Sequence, residues 1–193
     1  MKKLFTLAVA IALCSTMGFA QGLGLKGVGG SVGYTSVSFG LGSESFGGFV
    51  IGAHADMGEI SPGFQVLPEL QYWSTSKDVG GASWKVSDFA INANVHYNIQ
   101  TSGDIKPYVG AGLGMNFISF TWGYSTPAYT FFGQTYGGSS LTSESATRLG
   151  INLLGGANFA TGNITISPEV RYVVASDFNH FIVKVGVTVP LGK

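Results

Sequence analysis

Between Phe89 and Ile99 apolar and small or polar side chains alternate without a break. Phe89, Ile91, Ala93, Val95, Tyr97 and Ile99 fall on one face, and Ala90, Asn92, Asn94, His96 and Asn98 on the other. A period of two predicts a β-strand with one apolar and one wet side. The run is also close to the roughly 9–11 residues that a tilted strand needs to cross a bilayer. Seven further segments carry the alternation, at about 27–38, 48–58, 64–73, 106–120, 147–159, 163–174 and 181–191. Beyond the first twenty residues no stretch offers the 3.6-residue period of an amphipathic helix.

The connections alternate in length. Ser61-Pro62-Gly63, 100–105 and Thr161-Gly162-Asn163 are short and rich in turn residues. Between them fall longer connections at 40–47, 74–83, 121–146 and 175–180. This rhythm predicts an up-and-down all-β barrel of eight antiparallel strands, with both termini on the short-turn side. In outer-membrane barrels that side is periplasmic. Pro68-Glu69-Leu70-Gln71-Tyr72 recurs as Pro168-Glu169-Val170-Arg171-Tyr172, an echo that strands of similar composition also generate unaided.

The N-terminus changes the setting. Lys2 and Lys3 precede an apolar run from Leu4 to Met17, and Gly18-Phe19-Ala20 supplies small residues at a cleavage position. This is the pattern of a cleavable secretory signal over residues 1–20. The mature domain then runs over 21–193. Cys14, the only cysteine, lies in the leader, so no disulfide is expected.

Charge sharpens the choice between water and lipid. Only 10% of the 193 residues are charged, well below the roughly 25% of ordinary soluble domains. A soluble barrel would need more charge on its exterior. Without the leader, eight basic residues face ten acidic ones, and no basic patch invites nucleic acid.

Alternation alone does not say which face is outside. A soluble lipocalin-like barrel alternates too, with the opposite face outward. The wet face here carries Gly110, Gly112, Gly114, Asn92, Asn94 and Asn158. Small neutral groups suit the crowded interior of an eight-stranded barrel, and the glycines imply close approach of side chains from across the lumen. Charges on that face nearly cancel: Asp56, Glu69, Asp88 and Glu169 against Arg148, Arg171 and Lys184, with His54 and His96 beside them. Buried charges persist when paired, so Asp56, Glu69, Asp88, His96, Arg148, Glu169, Arg171 and Lys184 are expected to form a polar network that plugs the lumen. A proton or ion path through the same carboxylates is the sharper alternative.

Other chemistry is thin. His54 and His96 lie on separate strands without metal-ligand spacing. His180, near Ser176 and Asp177 in the last long connection, is close to them in sequence only, and a triad is a matter of geometry. No catalytic, cofactor or metal residue is expected. The connection at 121–146 is the most suggestive segment, with Trp122, Tyr124, Tyr129, Phe131, Phe132 and Tyr136. These aromatics either extend two strands and anchor the membrane rim or form a surface-recognition loop.

The leader, Pro68-Glu69-Leu70-Gln71-Tyr72 and Pro107-Tyr108-Val109-Gly110-Ala111-Gly112-Leu113-Gly114 together resemble the OmpA-like and OmpX-like eight-stranded outer-membrane β-barrel family. The resemblance implies insertion by the barrel-assembly machinery, contact with outer-membrane lipid, a filled lumen and a monomer. The peptidoglycan-binding domain that follows the barrel in OmpA-type proteins is not expected here. The chain ends Val189-Pro190-Leu191-Gly192-Lys193 rather than on the aromatic residue of many relatives. A fold of this kind hosts several functions. A structural or surface-interaction role with an unidentified surface ligand leads. A narrow channel for small or hydrophobic solutes follows, and then a lipid-modifying enzyme.

Overall fold

The computed structural model describes residues 23–38, 45–79, 82–176 and 178–191. The proposed leader at 1–20 and most of the connection at 40–47 lie outside them. The strands are β1 (Gly27–Ser38), β2 (Ser45–Asp56), β3 (Glu59–Ser61), β4 (Phe64–Val79), β5 (Ala82–Asn98), β6 (Ile105–Phe131), β7 (Gln134–Thr161), β8 (Ile164–Ala175) and β9 (Asn179–Pro190).

All nine belong to one antiparallel sheet, and pairing of β2 with β4 and of β1 with β9 closes it. The short β3 continues β2 past a break at Met57-Gly58, where Met57 N donates to Val66 O and Val66 N to Gly58 O, each at 3.0 Å. The wall therefore has eight staves. Closure leaves no unpaired edge around the barrel itself. The eight segments expected from alternation are all present, four of them longer than their pattern suggested.

The faces follow the period-two reading. Val32, Leu113, Ile151 and Val183 point outward and are exposed, as are Phe89, Val185 and Val187. Two rings of aromatics bound this apolar belt. At the hairpin end Tyr72, Phe89 and Phe117 are cross-strand neighbours, as are Tyr172 with Phe181 and Tyr34 with Phe49. At the turn end Phe64 packs on Tyr97, ring centroids 4.9 Å apart. Along β4 the rings are separated by the run from Phe64 to Tyr72, about 27 Å of strand at ~3.4 Å per residue and about 21 Å of height at a tilt of roughly 40°, near the height of a girdled membrane band. Leu113 lies midway between the rings and is 69% exposed. Leu113→Arg is expected to cost the folded barrel about 2–4 kcal/mol in bilayers, read from denaturant unfolding in lipid vesicles. A cost near zero would mean that this face does not meet lipid.

At 121–146 the structure takes the strand-extension alternative, with the aromatics running on past the membrane rim. The connection is no loop: β6 and β7 pair without interruption from Ile105↔Phe159 to Thr126↔Gly138, then shift register and continue from Tyr129↔Tyr136 to Phe131↔Gln134. Period two was already present there, but Gly and Ser interleaved with aromatics also suit a loop. Neighbouring strands stop short. The last residue of β6 with a partner on β5 is Tyr124, opposite Ala82, and β8 leaves β7 at Gly150.

Candidate functional site

The echo between Pro68–Tyr72 and Pro168–Tyr172 acquires a meaning in three dimensions. It falls on β4 and β8, four staves apart around a ring of eight, so Glu69 and Glu169 face one another from opposite walls. Arg171, two residues beyond Glu169 on the same face, reaches across the lumen. Its Nη1 lies 2.6 Å from Glu69 Oε2, and its Nη2 lies 2.7 Å from Glu169 Oε1. Lys184 from β9 pairs with Glu69 and stands 3.4 Å from Glu169 Oε1. Two carboxylates and two cations, all buried, thus form a neutral brace across the barrel.

Neutral donors complete it. Tyr108 Oη donates to Glu169 Oε2 at 3.1 Å, and Asn94 Nδ2 donates to Glu69 Oε2 at 3.3 Å. His96 stacks on Tyr108 with centroids 4.4 Å apart and planes 7° from parallel, its Nε2 4.0 Å from Glu169 Oε2. Above this level Asn152 Nδ2 donates to Asn92 Oδ1 and Asn94 Oδ1, at 2.9 and 3.0 Å. The glycines of β6 make room for these amides. A Cβ on Gly114 would lie 2.5 Å from Asn92 Oδ1, and Asn92 is its direct cross-strand partner. The crowding therefore comes from the adjacent strand β5, not from across the lumen as the sequence suggested.

Of the eight residues expected in the network, Glu69, His96, Glu169, Arg171 and Lys184 come together. Arg148 does not. It has lumen parity, but β8 ends at Ala175 opposite Gly150, so the side chain stands above the last neighbouring stave and is exposed. Asp56 sits at the turn mouth, where its Oδ1 accepts from Gly58 N at 2.8 Å. Asp88 is fully buried but nearer the hairpin end. Its carboxylate faces the Trp73 indole and the Phe117 amide, and neither completes a well-formed hydrogen bond with it.

The lumen is also not plugged by polar groups throughout. From the turn end up to the brace it is a wet cavity of about 750 Å³, lined by His54, Gln65, Asn98, Lys106, Ser167 and Thr188 among others. Beyond the brace the filling turns apolar. Val37, Val50, Trp73, Val86, Val173, Ala175, Phe178 and Ile182 form one buried cluster, with Ile118 and Phe120 packed against it. Trp73 stacks on Phe178 at 5.8 Å and 7°. His180 belongs to this layer rather than to an outer loop. It is buried on β9 with its ring 5.1 Å from Phe178 and 5.9 Å from Trp73, while Ser176 is exposed. Asp177 lies outside the described residues.

The hairpin end presents the remaining candidates. Tyr124, Tyr129 and Phe131 are 64%, 63% and 61% exposed, Phe132 is 91% and Trp122 is 39%. Tyr136 is the cross-strand partner of Tyr129. The girdle facing lipid is built by Phe89, Phe117 and their neighbours, and the hairpin aromatics continue beyond it.

Chemically, the brace is a closed network of matched charges, and beyond it apolar side chains fill the lumen around a few buried polar groups, Asp88 and His180 among them. The arrangement stiffens the barrel and closes the lumen toward its hairpin end.

Solved structures place this architecture among known folds. The chain is similar to neisserial surface protein A, with 20% identity over 89% of this chain and all of that one, and a TM-score of 0.61. It is also similar to Ail, the attachment invasion locus protein of Yersinia pestis, with 16% identity over 87% of this chain and all of that one, and a TM-score of 0.50. No curated protein sequence matches it. The model of the outer membrane protein beta-barrel domain matches residues 6–189, nearly the whole chain. The brace, the girdled apolar belt and this match together identify the chain as a member of the outer membrane protein beta-barrel domain family.

Proposed function

We propose that this protein is a surface-interaction protein of the bacterial outer membrane, with its termini and short turns in the periplasm and the β6–β7 hairpin outside. One observation carries the reading: β6 and β7, 27 and 28 residues long, project far past the girdle and hold exposed aromatics there. Strands that only crossed the bilayer would need roughly 9–11 residues each. The other barrel strands stay near that length or exceed it modestly. Exposed aromatic surface is the usual anchor of recognition, and rigid scaffolds present such groups on their projecting segments. A transport role finds less support, because a solute leaving the wet cavity would have to cross the Trp73–Phe178 layer.

Replacing Tyr124–Ser139 with a short Gly-Ser link is expected to leave the barrel folded, since pairing of β5, β6 and β7 below it is complete. The same deletion should abolish adhesion of expressing cells to host or neighbouring-cell surfaces. Folding is read from resistance to detergent on unboiled gels, and adhesion from whole-cell binding with and without the protein. Undiminished adhesion by a correctly inserted deletion variant would reject the reading.

A further inference from the structure

The hairpin has two unlike faces. Residues opposite one another in an antiparallel pair point the same way, and the even positions of β7 share the parity of lumen-facing Asn152. Below the register shift their partners include Trp122 and Tyr124, so these two aromatics continue the inner face; beyond it, where Gly137 and Gly138 have positive φ, Tyr129 and Phe131 share a face with each other. The other face carries hydroxyls, with Thr121 Oγ1 and Ser143 Oγ 2.8 Å apart. No Asp, Glu, Lys or Arg occurs from Ser119 to Ser143.

The tip adds a second, independent feature. Phe132 and Gly133 both have positive φ, 50° and 74°, as a two-residue hairpin turn requires. Asn or Gly ordinarily fills the first position, and a bulky aromatic there is sterically unfavourable. Phe132 nevertheless occupies it, 91% exposed, with its ring 4.7 Å from Phe131 at 79°. An aromatic pair thus stands at the most distal point of the molecule. From Phe117 in the girdle to Phe131 the strand runs about 46 Å at ~3.3 Å per residue. A tilt of roughly 40° puts the tip about 35 Å above the girdle. It does not reach back to its own bilayer.

We propose that the β6–β7 hairpin docks tip first onto a second bilayer, one of zwitterionic phospholipid, with Phe131 and Phe132 entering the acyl boundary and Tyr129, two residues behind Phe131, at the headgroups. This rests on the surface-interaction reading above and names its partner. The hairpin lacks the cations that a sulfated glycan or an anionic membrane would demand. Phe at the tip with Tyr129 close behind it matches the depth preferences of a membrane interface.

The test uses the full mature chain folded in nanodiscs of anionic phosphatidylglycerol, which are not the proposed ligand, mixed with phosphatidylcholine vesicles and floated on a density gradient. The variant is Phe131→Ser with Phe132→Gly, in which glycine suits the positive φ and preserves the turn. The unaltered protein should co-float with the vesicles. The variant should lose affinity on the order of tenfold or more, having given up two buried aromatics. Failure of the unaltered protein to float, or equal flotation of both, would overturn the inference. So would association of nanodiscs with one another without vesicles, which would make a second copy the occupant. If vesicles are not bound yet the hairpin deletion abolishes cell adhesion, the lipid inference falls and the surface-interaction reading stands. Vesicle binding with undiminished adhesion of the deletion variant would separate them the other way.

Discussion

Arg171→Met is expected to destabilise the folded barrel by about 3–5 kcal/mol, because it strands a buried carboxylate without its counter-charge. In the native brace Arg171 serves both Glu69 and Glu169, at 2.6 and 2.7 Å. Lys184 pairs with Glu69 and stands farther from Glu169, so it does not replace the guanidinium. The measurement is reversible denaturant unfolding in lipid vesicles. A second variant separates charge imbalance from lost packing. Adding Glu169→Gln to Arg171→Met removes one matched pair and leaves Glu69 with Lys184, and it should recover most of the loss. A penalty below about 1 kcal/mol for the single variant would place the brace among weak, solvated ion pairs. Failure of the double variant to recover would locate the cost in shape rather than charge.

Trp73→Ala should be comparably damaging, about 3–5 kcal/mol, the range for removing a large aromatic from a packed core. Trp73 is 1% exposed and is the largest side chain in the apolar layer. Its removal also takes away the indole that faces buried Asp88. Trp122→Ala offers the contrast. That residue is 39% exposed, and its loss should change stability by no more than about 0.5 kcal/mol. Equal effects of the two substitutions would contradict the division of the lumen into a wet cavity, a brace and an apolar layer.

Much of this molecule was legible from residue order. Period two assigns a face to every residue of a strand, because successive side chains point to opposite sides of the sheet whatever its partners. That local rule placed Phe89, Val183 and Val185 outside and Glu69, His96, Glu169, Arg171 and Lys184 inside, and it found all eight staves. Scarcity of charge then distinguished a lipid-facing exterior from a wet one.

Height along the barrel axis is a different matter. It depends on where each neighbouring strand stops, which no single segment encodes. Arg148 and Lys184 share inward parity, yet one stands exposed above the end of β8 and the other is buried in the brace. Val50, Trp73 and Val173 lie on separate strands, and strand register stacks them into one apolar layer. His180 moves from a supposed loop into that layer for the same reason. The extension of β6 and β7 into a hairpin stayed one of two alternatives because Gly, Ser and Thr suit turns when taken singly, and only pairing across the two strands turns them into a ladder. Sequence determined the faces, since those are set within each strand; tertiary structure decided the levels, since those are set by closure of the barrel and the unequal lengths of its neighbouring strands.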